Sequence, residues 1–480
     1  MDCVRSFLGM TTHTKNTTTR TRRRFRTIPT ALTAVTLAVG LALTGCSAAA
    51  TSADTDSASA STSVSNQSST SGTAISTLDV ASTEDATTTE ETISDTAAAA
   101  QAFWDTLSAE QQETLLYDYD DETKSTSWSN FPVTFVERAG LNLYDLTDEQ
   151  RTAALAVLES LLNDEAYAQV VGIIGGDEYL LENSSSTEES LGQYYIAFFG
   201  EPDADGEWAL QFGGHHLGIN ADLDGTNDEI TFAPTHLGVQ PAAYTDSDGD
   251  EVQPFDAIYT DAFAFYDSLT DEQLEAMYQG EDVSAMVCAP GGTCDYPTGT
   301  GLKGSDLTDE QKQLLLAVIA NWSGMADEET TAAELAEVEA TLDDTYINWS
   351  GATEYDMSTG DGIYFQISGP DVYIEFASQQ GSAGADVDGV TTSGWGHVHT
   401  IYRDPNEDYA GSVTQGEASG GGPGGGAGGG MPADGEMPSG MPDGEMPTDM
   451  PDGGTPPDFA GDDSTDEDSA DQSADSITDS

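Results

Sequence analysis

The sequence predicts an α+β domain built from two related halves, each placing capped amphipathic helices before an antiparallel β-hairpin or sheet. Three observations predict it. Low-complexity flanks confine the folded part of this 480-residue chain to residues 98–412. Inside those bounds a Ser/Thr-x-Glu-Gln string recurs at Ser108, Thr147, Thr270 and Thr308, each time opening a helical pattern. Downstream of each helical region come alternating apolar runs broken by Gly-rich turns.

The first 45 residues read as a secretory signal. Arg5, Lys15, Arg20, Arg22, Arg23, Arg24 and Arg26 precede the uncharged stretch TIPTALTAVTLAVGLALTG, which ends at Leu43-Thr44-Gly45-Cys46. A basic segment, a short apolar core and small residues before a cut form an export signal, too short for a stable membrane span. Leu-Thr-Gly-Cys resembles a lipobox, so lipidation of Cys46 is expected and the chain reads as an exported bacterial lipoprotein. It would be held at the outer face of the cell membrane by that lipid. Thr21-Arg22-Arg23-Arg24-Phe25 also resembles a twin-arginine motif, and a generic basic segment reads equally from the same residues.

Residues 46–97 are Ser, Thr, Ala and Asp with almost no large apolar side chain, a composition that cannot bury a core, and they are expected to be a disordered spacer. Residues 413–480 run through Gly-Gly-Gly-Pro, Met-Pro and Pro-Asp-Gly repeats to an acidic end, and are expected to be a disordered tail. The tail methionines could hold Cu(I) through thioethers, though a solvated tail accounts for them as well.

The halves, about 98–250 and 258–412, follow from four blocks repeated in the same order. Phe103-Trp-Asp-Thr-Leu-Ser-Ala-Glu-Gln111 answers Phe265-Tyr-Asp-Ser-Leu-Thr-Asp-Glu-Gln273, and Asp145-Leu-Thr-Asp-Glu-Gln150 answers Asp306-Leu-Thr-Asp-Glu-Gln311. Tyr195–Gly200 answers Tyr346–Gly351, and Gln211–Ile219 answers Gln366–Ile374. Each Ser/Thr-x-Glu-Gln is a capping box, the hydroxyl satisfying one backbone amide and the Gln reaching back to the cap. After Thr147 apolar residues fall at Ala154, Leu155, Leu158, Leu161 and Leu162, and after Thr308 at Leu314, Leu315, Val318 and Ile319, both helical periods. Trp208–Phe212 with Leu217–Ile219, and Ile363–Ile367 with Val372–Phe376, read as hairpins.

Several of these blocks resemble a known family. Trp128-Ser-Asn-Phe-Pro132 with Arg138, Phe199-Gly-Glu-Pro202, Gly214-His-His-Leu-Gly-Ile-Asn220, Gly369-Pro-Asp-Val-Tyr-Ile-Glu-Phe376 and His397-Val-His-Thr-Ile-Tyr-Arg-Asp-Pro-Asn-Glu-Asp-Tyr409 are similar, in order, to domain of unknown function 3500. The resemblance implies no activity, substrate or catalytic residue. Ala410 departs from it, where a Gly is usual.

Composition excludes some functions. The chain has 13 Lys+Arg against 86 Asp+Glu, and removing residues 1–45 takes away seven bases and one acid, leaving a formal charge of −79. Nucleic acid is excluded as a partner, since phosphate binding needs Lys and Arg. The charge also repels an anionic membrane, which leaves anchoring to the lipid. Cys288-Ala-Pro-Gly-Gly-Thr-Cys294 is expected to close a loop disulfide in an oxidising compartment, with a metal pair as the alternative.

Five histidines lie in the domain, four of them as His215-His216 and His397-x-His399. Residues i and i+2 of a strand face one side, so His397 and His399 can reach one ion, while adjacent His215 and His216 should point oppositely and contribute one ring. Imidazoles suit zinc or copper. Glu201, Glu375, Asp404 and Asp408 are candidates to complete the shell, and Arg138, Glu201 and Arg403 are candidate catalytic residues. Asp222–Asp228 and Asp246–Asp250 have calcium-like spacing, but position 12 of the second is Ala257. Two functions are expected to compete: a metal-dependent, hydrolase-like extracytoplasmic enzyme using the His cluster, and a surface protein binding a small-molecule ligand in the cleft between its halves, near Trp128, Arg138 and Arg403.

Overall fold

The capping boxes start helices where the sequence places them. Ser108, Thr147, Thr270 and Thr308 each accept from the amide of the Gln three residues on, and each Gln side chain accepts from the cap amide. A computed structural model of the chain describes residues 87–412, apart from 187–189, 289–293, 359 and 383. The signal, Cys46, most of the spacer and the tail lie outside the described residues.

Among the described residues the helices are α1 (Thr89–Thr106), α2 (Ala109–Leu115), α3 (Thr123–Thr126), α4 (Asp148–Leu161), α5 (Asp164–Asn183), α6 (Asp256–Asp267), α7 (Asp271–Met277), α8 (Asp309–Ser323) and α9 (Glu328–Thr341). The strands are β1 (Leu116–Tyr117), β2 (Leu141–Asn142), β3 (Tyr195–Phe199), β4 (Glu207–Gly213), β5 (Leu217–Asp224), β6 (Glu229–Thr231), β7 (His236–Val239), β8 (Tyr244–Thr245), β9 (Glu251–Val252), β10 (Leu302–Lys303), β11 (Tyr346–Gly351), β12 (Ile363–Ser368), β13 (Tyr373–Gln379) and β14 (Gly394–Arg403). The fold is α+β.

Twelve of these strands form one mostly antiparallel sheet in the order β1-β3-β4-β5-β7-β14-β13-β12-β11-β10, with β2 on β3 and β6 on β5, and β8 and β9 pair separately. Only β1 runs parallel to its neighbour β3 among the named pairs. The expected hairpins are β4–β5, with Phe212 opposite Ile219, and β12–β13, with Ile367 opposite Ile374. β7 and β14 join the two regions into a continuous sheet, through Gly218 opposite His236 and Gly238 opposite His399. Thr400 fastens this seam: its hydroxyl donates to the Leu237 carbonyl at 2.8 Å and accepts from the Trp322 indole at 2.9 Å.

Alternation divides the sheet into two unlike faces. Phe198, Leu210, Phe212, Ile219, Leu237, Val398, Phe376, Phe365 and Ile347 share the main core with helix residues Ala154, Leu158, Ile173, Leu315 and Ile319. The opposite face carries Gln211, Asn220, His236, His399, Glu375, Gln366 and Asn348, all buried although polar. The amides of that face satisfy one another. Gln211 donates to Asn220 at 2.7 Å, Asn348 to Gln366 at 2.9 Å, and Gln366 to the Tyr373 hydroxyl at 2.9 Å.

Helical structure is described upstream of residue 98, where the folded part is expected to begin. Helix α1 starts at Thr89, capped by Thr88, and buries Ile93, Ala97, Ala100 and Phe103. The Thr- and Ala-rich sequence hid this spacing. Polar contacts then tie α1 to α9: the Thr92 hydroxyl donates to Asp327 at 2.7 Å, and Asp327 caps α9.

Corresponding contacts recur in the two regions. The Gln111 and Gln150 amides meet at 3.1 Å, as Gln273 and Gln311 do at 2.9 Å. Gly140 (φ +83°) and Gly301 (φ +101°) both lie so close to a strand that a Cβ would sit 1.9 Å from the Ile196 carbonyl oxygen and 2.0 Å from that of Ile347.

Cys288 and Cys294 are joined by a disulfide with their Cα atoms 5.3 Å apart. Glu375 holds this segment in place, its buried carboxylate accepting from the Val287 and Cys288 amides at 2.8 and 2.6 Å and from the Tyr364 hydroxyl at 2.7 Å. Ala410 has φ +51°, a left-handed value that glycine adopts without steric cost.

Candidate metal centre

The seam of the sheet gathers four histidines. His215 and His216 occupy the bend between β4 and β5, while His397 and His399 lie on β14, which pairs with β7 beside them. The close approach needs a residue without a side chain at position 238. The Gly238 amide donates to the His216 carbonyl at 2.6 Å, and a Cβ there would press within 3.1 Å of the Val398 and His216 oxygens.

The expectation that only one of His215 and His216 could join the group is corrected. Residues 214–216 are not strand, with a bend at 215–216, so the alternation rule does not govern them. Their rings stack with centroids 4.3 Å apart, and both face His399, at 5.6 and 5.2 Å. His215, His216 and His399 can each offer one ring nitrogen with the three within 4.8 Å of one another. His397 stands beside this trio: its Nε2 lies 3.1 Å from His399 Nε2, and its Nδ1 faces the Gly381 carbonyl at 3.2 Å. The β13–β14 register shifts at Ser378/Gln379, which takes the segment before Val398 out of regular pairing.

The rings are set up to act as lone-pair donors. Their relative exposures are 9% for His215, 0% for His216, 6% for His397 and 4% for His399. Burial first, then the neighbouring histidines, drives the His215 and His399 pKa values well below the usual imidazole range, and burial with His216 brings His397 down to about 3. These three rings are therefore neutral near pH 7. His215 Nδ1, His216 Nε2 and His399 Nδ1 are buried without any hydrogen-bond partner. A buried polar atom left unpaired costs about 1–3 kcal/mol, and each ring of the trio carries one.

One carboxylate serves the site, and sequence reasoning did not name it. Asp177 on α5 is fully buried and meets His216 Nδ1 at 2.5 Å, while its other oxygen accepts from the Tyr194 hydroxyl at 2.7 Å. A carboxylate behind an imidazole fixes the ring's tautomer and orientation, the usual outer partner of a metal-bound histidine. Asp177 was legible in principle, since it follows Val170, Ile173 and Ile174 at helical spacing on a buried stripe where a carboxylate has no place without a partner.

The other acids considered lie elsewhere. Glu201 is exposed in the loop between β3 and β4, whereas His215 follows the far end of β4; a strand of that length puts them roughly 20 Å apart. Glu375 is committed to the disulfide segment. Asp408 accepts from Arg403 Nε and Nη2, each at 2.6 Å, and its second oxygen accepts from the Asp404 amide.

The two candidate arginines are both buried and hydrogen-bonded. Arg138 donates to the carbonyls of Ser129 and Phe131 at 2.6 Å, of Gly214 at 3.0 Å, and of Val136. It thereby fixes the residue before His215, and burial lowers its pKa to about 10. Arg403 pairs with Asp408 and lies 5.8 Å from the Trp128 ring.

The calcium-like strings resolve into turns. Asp224 accepts from the Thr226 and Asn227 amides, and Asp246 from those of Asp248 and Asp250, as hairpin connections do. Asp222 sits apart on β5, buried beside Lys124 at 3.4 Å. No helix among the described residues is long and apolar enough to cross a membrane.

A family model described as Protein of unknown function (DUF3500) matches residues 89–411. The chain belongs to this family. The match opens on the first residue of α1 and runs beyond β14, so the family domain contains every strand named above and all four histidines of the seam. No curated protein and no solved structure matches the chain.

Proposed function

We propose that this protein is an extracytoplasmic, lipid-anchored metalloprotein that holds one zinc or copper ion at the seam of its sheet. The observation that carries the reading is the meeting of three buried imidazoles, from His215, His216 and His399, each with one ring nitrogen buried without a partner, and with Asp177 bonded to His216. Neutral imidazoles favour zinc and copper over calcium or magnesium, which take oxygen ligands. Three protein nitrogens leave one place in a tetrahedral shell, the arrangement of sites that activate water, so the chemistry proposed is metal-dependent and hydrolase-like. Arg138, Glu201 and Arg403 take no direct part in it. A purely structural ion is the second reading, favoured by exposures of 9% or less for every ring.

Protein purified without a His-tag should contain one equivalent of zinc or copper by elemental analysis. A folded, metal-free protein that also fails to take up either ion from buffer contradicts the proposal. For the anchor, Leu43-Thr44-Gly45-Cys46 supports cleavage before Cys46 and lipidation of its thiol. Mass spectrometry of the membrane-bound protein should show a diacylglyceryl-modified N-terminal cysteine, and an unmodified Cys46 would rule the anchor out.

We infer also that the domain is internally duplicated, with the site assembled from the hairpin of one half and the last strand of the other. The recurring capping boxes, the paired Gln contacts and the equivalent glycines 140 and 301 support it. Gly140→Ala and Gly301→Ala should each cost several kcal/mol, because both the positive φ and the carbonyl contact forbid a Cβ. Urea unfolding of the two variants measures this, and a negligible cost in either would count against equivalence.

A further inference from the structure

We propose that His397 is a positioning residue: it selects the tautomer of His399 that presents a bare Nδ1 to the metal centre, through a relay ending on the Gly381 carbonyl. This deepens the metal reading and rests on it for its purpose, though not for its geometry.

The relay follows from counting protons. The Gly381 carbonyl can only accept, and it lies 3.2 Å from His397 Nδ1, so that nitrogen carries the proton. A neutral imidazole has one N–H, which leaves His397 Nε2 as a lone pair. That lone pair faces His399 Nε2 at 3.1 Å. Two lone pairs at this distance repel, so His399 Nε2 carries its ring's proton and donates it to His397. His399 Nδ1 is then bare, and it is the nitrogen of that ring buried without a partner. The same logic operates on the other side of the site. Asp177 accepts from His216 Nδ1, and His216 Nε2 is again the nitrogen buried without a partner. Two ligands are thus oriented by different devices, a carboxylate behind His216 and a carbonyl-terminated imidazole behind His399.

His397 lies outside the trio that can share an ion although it is adjacent to it. Both of its nitrogens are already used. It also assigns a role to residue 381, whose carbonyl sets the direction of the chain of donors. Outer partners of this kind typically contribute about 10- to 100-fold to metal affinity.

The test uses the full chain, stripped of metal by a chelator and titrated with Zn(II) against a chromophoric competitor, with Co(II) visible spectra as a second readout. His397→Leu removes the acceptor for His399 Nε2–H, and His397→Gln restores one through its amide oxygen. We expect His397→Leu to keep one ion per chain, bound about 10- to 100-fold more weakly and with shifted Co(II) bands. His397→Gln should recover most of that loss, and His399→Ala should lose stoichiometric binding. Wild-type affinity and spectrum in His397→Leu overturn the proposal. So does loss of stoichiometric binding in His397→Leu, which would make His397 a ligand, and so does a Gln variant no better than Leu. Long-range ¹⁵N–¹H NMR of histidine-labelled, metal-free protein reads the tautomers independently of any ion. His399 protonated on Nε2 in wild type and redistributed in His397→Leu supports the relay, and protonation on Nδ1 in wild type overturns it. A wild-type chain that binds no ion sinks the metal reading alone, and the tautomer measurement then decides this one.

Discussion

His216→Ala is expected to abolish stoichiometric zinc or copper binding and to destabilise the domain by about 3–5 kcal/mol. The two effects have different origins. Removing the imidazole takes away one of three nitrogens in the trio, and it also strips the buried Asp177 of its 2.5 Å partner. A carboxylate at 0% exposure cannot regain water, so the penalty falls on the fold itself. The double variant His216→Ala/Asp177→Asn separates the effects: it should recover much of the stability, since no charge is left stranded, and none of the metal binding. Denaturant unfolding of chelator-treated protein measures the first term, and elemental analysis the second. A single variant as stable as wild type, still carrying one ion, would exclude His216 from the site.

Arg138→Met should cost about 3–5 kcal/mol, because a buried residue that satisfies several backbone carbonyls is replaced by one that satisfies none. Arg138 serves Ser129, Phe131, Val136 and Gly214. The guanidinium fork matters as much as the charge, so Arg138→Lys should recover little. Gly214 precedes the histidine pair, and its release should weaken metal affinity as well as stability. Urea unfolding read by tryptophan fluorescence measures the first, and competitive zinc titration the second. A loss under about 1 kcal/mol would show that the carbonyls find other partners.

Much of this architecture was legible because it is local. A capping box is decided by four consecutive residues, and all four helix starts follow from them. A hairpin such as β4–β5 is decided by alternation and a turn. What escaped depends on distant partners. Helix α1 escaped before residue 98 because its stripe is mostly Ala and Thr, buried by distant partners in α4, α9 and the sheet. Helix α5 carries Gly172, Gly175 and Gly176, which lower helix propensity while leaving it buried. The histidine site divides in the same way. Four of its rings stood out as two clusters in a His-poor chain. Their grouping into a trio with an outer partner depends on the β7–β14 pairing, on the bend at 215–216 and on Asp177 from a helix about forty residues away in sequence, none of which periodicity encodes. The acids nearest in sequence were misleading for the same reason. Glu201 follows β3 and faces the wrong end of the sheet, and Asp408 is already paired with Arg403.

The central claim is that His215, His216 and His399 form one metal site at the seam of the sheet. Anomalous X-ray scattering from crystals of untagged protein, collected on both sides of the zinc and copper absorption edges, tests it most directly. The account predicts a single strong peak between these three rings, with His215 Nδ1, His216 Nε2 and His399 Nδ1 about 2.0–2.1 Å away if the ion is zinc. His397 should lie outside the coordination shell. A peak elsewhere, or well-ordered rings with no peak between them after zinc and copper soaks, would contradict it.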